Sequence, residues 1–289
     1  MKVFEIKDLA IPIRSTDSHA ASGQERPTVI RVLPPHLSIE AGDILFITGG
    51  SGIGKTALLN CFGLLPNFRP EKATQLQFID ADGNPFDPKA SDDPVRTRRL
   101  RKNEIGHISS HGALFRFLTL SQNICLTRSD PDELKTLTGK LGLDSDGAML
   151  DRHLRRNTPI DIQRKVLVAR ELIKRPRLLI ADDPVSGVCP HTQQRIWETL
   201  LKQYPARRPA VIIALRCGSS HAPSMQVLEQ AISQGFRLRH MCGKFEEDAK
   251  SETRFKFWTT DENGKVDDKG MGMSAEACHR FLVSPPIIQ

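Results

Sequence analysis

The stretch Gly49-Gly50-Ser51-Gly52-Ile53-Gly54-Lys55-Thr56 has the form G-x-x-x-x-G-K-[ST] of a phosphate-binding loop. Glycines at these positions let successive backbone N–H groups turn toward one concavity and bind anionic oxygens. Lys55 is expected to reach the β- and γ-phosphates, and the Thr56 hydroxyl to ligate a magnesium ion. The stretch therefore predicts a site for a nucleoside triphosphate with Mg²⁺.

The residues on both sides of the loop have the patterns that such a loop needs. Residues 44–48 (ILFIT) form a short apolar run typical of a buried strand, and residues 57–62 continue the sequence as a helix. A helix that begins at the loop directs the positive end of its dipole toward the phosphates. These flanks favour a functional loop over a glycine-rich turn that matches by chance.

Length and composition are typical of an ordinary soluble protein of one large or two small domains. No run approaches the roughly 18 apolar residues of a membrane span, and residues 1–6 lack the apolar core of a secretory signal. The 6 scattered cysteines contain no C-x-x-C pair, which predicts reduced thiols in a cytoplasmic protein. The net charge of +7 is concentrated at residues 96–102 and 152–156. Without interleaved aromatic residues these clusters favour solvated faces over the alternative, a surface for nucleic acid or anionic lipid, and no nucleic-acid partner is expected.

Short apolar runs separated by turn signals predict the remaining elements. Strands are predicted at residues 3–9, 29–33, 37–39, 76–79 and 211–215. Residues 15–27 are typical of a loop, Asp82-Gly83 predicts a hairpin turn, and residues 112–176 have a helical pattern. Further along, a helix is predicted at 227–232 and a terminal hairpin at 255–266, with its turn at Asn263-Gly264.

An apolar run at residues 178–181 ends in two carboxylates, Asp182 and Asp183. A buried strand that carries a carboxylate at its C-terminal end places it opposite the phosphate loop, where it can bind the metal ion. We therefore expect Asp182 to bind Mg²⁺ together with Thr56. The alternative is a strand-end turn without function, which the order of loop and strand along the chain disfavours.

With these features in this order, the chain resembles an ATP-binding-cassette nucleotide-binding subunit from about residue 3 to 217. Residues 39–43 look like the segment that leads into the family's phosphate loop, and residues 105–124 like its Q-loop region. Residues 169–184 match the family's helix-to-Walker-B stretch without a gap. Leu58-Leu59-Asn60, and Leu100-Arg101 before Ile105-Gly106, favour the lipoprotein-release and macrolide-export branch.

The resemblance implies an α/β fold. Its P-loop NTPase core would have a mostly parallel sheet, with an N-terminal antiparallel β-subdomain and a helical subdomain at about 112–176. Residues 1–220 would form the ABC-type ATP-binding domain. Residues 221–289 would add a C-terminal helix and the terminal hairpin, which complete the domain, and a tail.

The family's signature L-S-G-G-Q falls on Thr158-Pro159-Ile160-Asp161-Ile162, where no residue of the motif is retained. Pro159 suits a first helical position, and Thr158 with Asp161 suits a cap, so a helix is still expected. In the family this helix end contacts the γ-phosphate held by the partner subunit. Asp161 would occupy that site or repel a phosphate from it.

Other functional positions also differ from the family's pattern. The Q-loop glutamine aligns with Ser110, and the Walker B glutamate with Asp183, which keeps the carboxylate but is about 1.5 Å shorter in reach. Asp183 would therefore be a weakened general base. The switch histidine aligns with Arg216, a permanent cation, and the adenine-stacking aromatic falls near Ile13.

By resemblance, the chain is expected to be the ATP-binding subunit of a membrane transporter, peripheral at the cytoplasmic face of the inner membrane. Separate permease subunits would contact residues 112–125. Family members form head-to-tail dimers, here a homodimer or a heterodimer, and the lesions of this chain would fall in both composite sites. ATP binding is therefore expected to be retained, with weak or partner-dependent hydrolysis. A regulatory nucleotide sensor is the alternative, and another P-loop enzyme, such as a kinase, is a weaker one.

Overall fold

The structure is a computed structural model. It describes residues 1–13, 28–33, 35–65, 71, 74–88, 93–110, 112–143, 148–202, 208–216, 218, 220–247, 253–263, 265–267 and 272–284. The predicted loop at 15–27 and the turn residue Gly264 lie outside these ranges. Within them, no helix combines the length and apolar character that crossing a bilayer requires.

The strands, in chain order, are β1 (Lys2–Lys7), β2 (Ala10–Ile13), β3 (Thr28–Leu33), β4 (His36–Glu40), β5 (Asp43–Gly49), β6 (Gln75–Ile79), β7 (Pro85–Phe86), β8 (Ile105–Ile108), β9 (Leu178–Asp182), β10 (Ala210–Ala214), β11 (Arg237–Glu247) and β12 (Thr253–Thr260). The helices are α1 (Lys55–Phe62), α2 (Pro94–Asn103), α3 (Leu120–Ile124), α4 (Pro131–Leu141), α5 (Ile160–Leu172), α6 (Pro190–Lys202), α7 (Met225–Ser233) and α8 (Ala275–Val283).

The larger sheet has the strand order β2-β3-β12-β11-β5-β10-β9-β8. Its neighbours β11, β5, β10, β9 and β8 run parallel. Every residue of β5, β9 and β10 is buried, because both faces of the sheet are covered and the strands are continuous apolar runs. Alternate residues face two cores, Ile44 and Phe46 on one side and Leu45 and Ile47 on the other. Parallel pairing brings the C-terminal ends of β5, β9 and β10 to one edge.

The smaller sheet has the order β4-β1-β6-β7, and its pairs are antiparallel. Strands β4 and β6 alternate between buried and more exposed residues, which is the pattern of a sheet with one face against the core. Phe78 pairs with Phe86 across the predicted Asp82-Gly83 turn. Together with the parallel core and the helices at 120–172, this sheet confirms the predicted fold class.

The strand residues on either side of the predicted terminal turn pair with each other, but the main pairing of this hairpin was not predicted. Thr260 pairs with Val266 across the turn. The main antiparallel partner of β12, however, is β11, which the sequence analysis did not identify. Strand β11 begins with a basic stretch that is unlike a central strand. Its Arg237 and Arg239 both contact the buried Asp43 of β5, at 2.6 Å and 3.1 Å, so their charge is balanced by the neighbouring strand.

Candidate functional site

The phosphate loop connects the last residue of β5 to the first turn of α1. The backbone curls at Gly52 and Gly54, where φ is 80° and 88°, values that favour glycine. Lys55 Nζ donates to Gly49 O over 2.8 Å and to Gly50 O over 2.6 Å, so the ammonium group lies against the loop. No side chain among the described residues caps the N-terminus of α1, whose first N–H groups therefore suit an anion.

Gly49 requires glycine for a second reason besides its φ of 150°. A Cβ at this position would overlap Ile53 Cδ1 and lie 2.9 Å from Gly243 O. Ile53 occupies the last of the four variable positions of the motif, and its buried side chain packs into the core beneath the loop. The close approach of Gly49 to β11 and Ile53 thus holds the loop against the sheet.

Three predicted site residues from distant segments meet at one carboxylate oxygen. Thr56 Oγ1 donates to Asp182 Oδ2 over 2.7 Å, and Ser110 Oγ donates to the same oxygen over 3.2 Å. Asp182 is the last residue of β9 and is buried. The parallel order of β5, β10, β9 and β8 produces this meeting, because β5 ends at the phosphate loop and β8 ends just before Ser110.

The donor atoms of this cluster fit a magnesium ion bound to a nucleotide. Mg²⁺ prefers oxygen ligands and commonly binds one or two protein groups together with phosphates and water. Thr56 Oγ1 and Asp182 Oδ2 are such ligands, beside a loop suited to phosphate. Among the described residues, no group of three or more His, Cys, Asp and Glu side chains could hold a metal ion by itself.

Asp183 lies beside the metal position in a strained and buried environment. Its φ of 45° is in the left-handed region, which is uncommon for a residue other than glycine. Its Oδ1 lies 3.0 Å from His221 Nδ1, and its Oδ2 lies 3.8 Å from Arg216 Nε. Oδ2 is buried and has no hydrogen-bond partner among the described residues. The sequence aligns Arg216 with the switch position, whereas His221, which brings an imidazole to the same carboxylate, was not predicted.

Arg164 of α5 is a second functional candidate that the sequence analysis missed. Its side chain is buried, and its guanidinium donates to Ser109 O and Ser110 O over 3.3 Å and to Ser186 O over 3.4 Å. Burial lowers the pKa of Arg164, and the nearby charges of Asp183 and Asp182 oppose that shift. Its signal in the sequence was a charged residue shortly before the apolar run 166–169 of the helix. Arg164 joins the loop of Ser110 to the loop after Asp183.

Helix α5 forms as predicted, but its predicted cap is wrong. Pro159 is the N-cap residue rather than the first helical residue, and no side chain caps the helix. The Thr158 hydroxyl accepts instead from Arg155 N over 2.9 Å, because the extended backbone of Pro159 separates Thr158 from the first turn. A helix end without a side-chain cap remains at the position that aligns with the lost signature.

The Asp161 carboxylate in the first turn of α5 contacts the segment that begins α6. It accepts from Cys189 N and from Thr192 Oγ1, both over 3.2 Å. Burial alone would raise the pKa of Asp161, but the hydrogen bonds from Cys189 and Thr192 outweigh burial and lower that pKa. Asp161 therefore stays ionised and has structural partners within its own chain. Its predicted repulsion of a phosphate stays a prediction, as does the adenine position near Ile13, which adjoins the undescribed residues 14–27.

Comparisons with a family model and with known proteins indicate the same protein family for this chain. Residues 33–186 match the family model described as ABC transporter. The lipoprotein-releasing system ATP-binding protein LolD of Rickettsia bellii is 27% identical over 212 residues, which cover 70% of this chain and 86% of LolD. The macrolide export ATP-binding/permease protein MacB of Mannheimia succiniciproducens is 25% identical over 241 residues, which cover 79% of this chain and 33% of MacB. These names agree with the branch predicted from the sequence.

A solved structure supports the fold independently. The dimeric structure of MJ0796, titled a bacterial ABC transporter cassette, is 19% identical in sequence with a TM-score of 0.59. The match covers 83% of this chain and 94% of that chain. At this identity the likeness concerns the fold alone.

Proposed function

Because the chain belongs to the ABC transporter family, we propose that it is the ATP-binding subunit of a membrane transporter. It binds MgATP at a dimer interface and acts with separate permease subunits. The 2.7 Å contact between Thr56 Oγ1 and Asp182 Oδ2, beside Lys55, carries the nucleotide part of this proposal. This contact supports the proposal because a hydroxyl and a carboxylate, both oxygen donors suited to Mg²⁺, lie together beside the loop that would hold the phosphates.

Equilibrium binding of ATP, with and without Mg²⁺, tests this part. We expect Lys55→Ala to weaken ATP binding at least tenfold, because a phosphate loses its charged hydrogen-bond donor. Asp182→Asn should weaken ATP binding only when Mg²⁺ is present, because the carboxylate acts on the metal. Lys135→Ala, an exposed lysine of α4, is the matched control. Equal ATP affinity in Lys55→Ala and Lys135→Ala would contradict the proposal.

Hydrolysis by the isolated chain is proposed to be weak. Asp183 holds its carboxylate about 1.5 Å shorter than a glutamate would, so it lies further from a water on the γ-phosphate. The segment Thr158–Ile162 has no glycine that would allow close approach of the backbone to a partner's nucleotide. The first change affects the site that uses this chain's Lys55, and the second affects the opposite site of a head-to-tail dimer. Both sites of a homodimer would therefore be impaired.

Steady-state ATP turnover of the purified chain tests this second part. The wild-type chain should turn over slowly, and Asp183→Glu should accelerate it because the longer side chain restores the reach of the base. His221→Ala should slow any turnover that is measured, because Asp183 loses the partner of its Oδ1. Robust Mg²⁺-dependent turnover by wild-type homodimer, unchanged by Asp183→Glu, would refute the weakened-base argument.

The membrane partner is proposed from the names of LolD and MacB and from the surface around α3. Phe115 and Phe117 are 45% and 73% exposed, with ring centroids 5.6 Å apart. An exposed aromatic pair of this kind suits a protein contact, and it lies in the segment 112–125 predicted to meet a permease. Isolation of the chain from membranes should recover integral membrane proteins in stoichiometric amount. We propose that the chain lies at the cytoplasmic face of the membrane. A purely soluble complex would instead favour a nucleotide sensor.

A further inference from the structure

The loop at residues 183–189, which joins β9 to α6, is bound by two charged side chains of helix α5. Arg164 donates to Ser186 O over 3.4 Å. One carboxylate oxygen of Asp161 accepts from Cys189 N over 3.2 Å. Residues three apart on a helix are neighbours on its surface, so the two side chains contact the loop from the same side. These contacts form the α5 clamp.

Both side chains of the α5 clamp are themselves fixed by further hydrogen bonds. The buried Thr192 of α6 donates from Oγ1 to the second oxygen of Asp161 over 3.2 Å. The guanidinium of Arg164, which is buried, also donates to Ser109 O and Ser110 O. Burial of a charged group is costly, and here its hydrogen bonds within the described residues go to backbone carbonyls. This arrangement points to a role in positioning the loops that carry those carbonyls.

Asp183 begins the loop in a backbone conformation that needs support. Its φ of 45° lies in the left-handed region, which a residue other than glycine keeps only where the surrounding structure holds it there. Asp183 N donates to Ala214 O over 2.9 Å, and Asp183 O accepts from Ser186 N over 3.1 Å. Ser186 O is in turn the acceptor of Arg164. The α5 clamp and the backbone of Asp183 are therefore joined through one residue.

The direction of the Asp183 carboxylate depends on this backbone conformation. Its Oδ1 lies 3.0 Å from His221 Nδ1. An aspartate has one side-chain torsion fewer than a glutamate, so its carboxylate follows a shift of the backbone closely. Release of the loop from α5 would therefore move the carboxylate away from His221 and away from a water on the γ-phosphate.

We propose that Asp161 and Arg164 are positioning residues for Asp183, so that the N-terminal part of α5 serves the hydrolytic site of its own subunit. This inference rests on the proposed function, in which Asp183 is the base. It differs in sign from the predicted repulsion of a partner's phosphate by Asp161. A carboxylate that repels this phosphate slows turnover, whereas a carboxylate that positions Asp183 supports turnover.

The NMR signal of the His221 imidazole reports the position of the Asp183 carboxylate without nucleotide. Spectra of the full chain labelled at histidine contain this signal, which His221→Ala assigns by its absence. Asp183→Asn defines the shift that follows loss of the carboxylate. Asp161→Ala should move the signal toward that of Asp183→Asn. The matched control is Asp132→Ala, which removes an exposed aspartate from the first turn of α4 and should leave the signal unchanged.

Single-turnover hydrolysis of radiolabelled ATP, with protein in excess, tests the consequence for the reaction. Asp161→Ala should slow hydrolysis by about tenfold or more, because a small displacement of a positioned group can cost that much. The affinity for ATP should stay within about twofold of the wild type, since the clamp acts on Asp183 and not on the phosphate loop. Asp161→Asn should retain most of the rate, because its amide oxygen can still accept from Cys189 N.

Two results would overturn the proposal. One is a His221 signal that does not move in Asp161→Ala, or that moves equally in Asp132→Ala. The other is faster hydrolysis in Asp161→Ala, which would favour repulsion of a partner's phosphate. Thr192→Val, which removes one donor to Asp161, should shift the signal in the same direction and replaces Asp161→Ala if circular dichroism shows that variant to be unfolded. Failure of the wild-type chain to bind ATP would count against the proposed function alone, because the signal is recorded without nucleotide.

Discussion

Replacement of Arg164 by methionine should destabilise the protein and disturb the nucleotide site together. Methionine is close in length to arginine and fills much of its volume but donates no hydrogen bond. The carbonyl groups of Ser110 and Ser186 would lose their donor, whereas that of Ser109 would keep its hydrogen bond from Gly112 N over 3.2 Å. The carboxylates of Asp182 and Asp183 would lose a nearby cation.

The magnitude follows from these contacts. Each of the two part-buried carbonyls left without this donor, Ser110 O and Ser186 O, costs about 1 kcal/mol, so the two together cost about 2 kcal/mol. Loss of the cation near two buried carboxylates adds to this amount, while relief from burying the guanidinium, which lowers the pKa of Arg164, offsets part of it. We therefore expect the free energy of unfolding to fall by about 2 kcal/mol.

Urea denaturation at neutral pH measures this loss, and Arg156→Met, at an exposed position, provides the control. Arg164→Lys should be intermediate, because it keeps the charge but loses the planar fork. The Mg²⁺-dependent affinity for ATP should fall in Arg164→Met as well, since Ser110 lies at the metal position. A loss below about 1 kcal/mol, or no larger than that of Arg156→Met, would refute the reasoning.

Two further predictions concern the surroundings of the phosphate loop. Gly49→Ala should abolish ATP binding and lower the midpoint of urea denaturation, because the added Cβ would overlap Ile53. Unchanged ATP binding would contradict the close approach of Gly49 to Ile53. His240 bonds Thr48 and Thr260, and burial lowers its pKa from 6.5 to about 3. As pH falls below 6.5, this histidine therefore becomes protonated in the unfolded chain before it does in the folded chain. Between pH 8 and pH 5 the free energy of unfolding should fall by about 2 kcal/mol more in the wild type than in His240→Asn. Equal losses in the two proteins would refute this.

The parts of the fold that could be predicted from the sequence are those encoded by short contiguous segments. Strands β5, β9 and β10 are buried on both faces, so each is a continuous apolar run that stands out from its neighbours. The phosphate loop and the strand-end carboxylates are contiguous motifs, and their order along the chain specifies their meeting. The contact between Thr56 and Asp182 thus follows from sequence although the two residues are 126 positions apart.

The parts that sequence did not predict depend on partners distant in the chain. Strand β11 begins with basic residues, which are unusual at the centre of a sheet. Their charge is balanced by Asp43, which lies 194 positions from Arg237 in the chain. His221 was missed because its role depends on how the loop after β10 returns toward Asp183, 38 positions away, and no periodic pattern encodes that path. Arg164 was missed for the same reason, since its acceptors are carbonyl groups of other segments.

Nucleotide binding and hydrolysis therefore depend on differently encoded parts of this chain. The loop after β10 carries both Arg216 and His221, so replacement of a histidine at one position does not remove an imidazole from the Asp183 carboxylate. The side chain of Asp183 is still shorter than that of a glutamate, and the segment Thr158–Ile162 still contains no glycine. The first would be corrected by one methylene within this chain, whereas the second would act on the nucleotide of the other subunit in the proposed head-to-tail dimer. A partner with an intact signature would therefore supply the signature to the site that contains this chain's Lys55, and that site would still be limited by the short reach of Asp183.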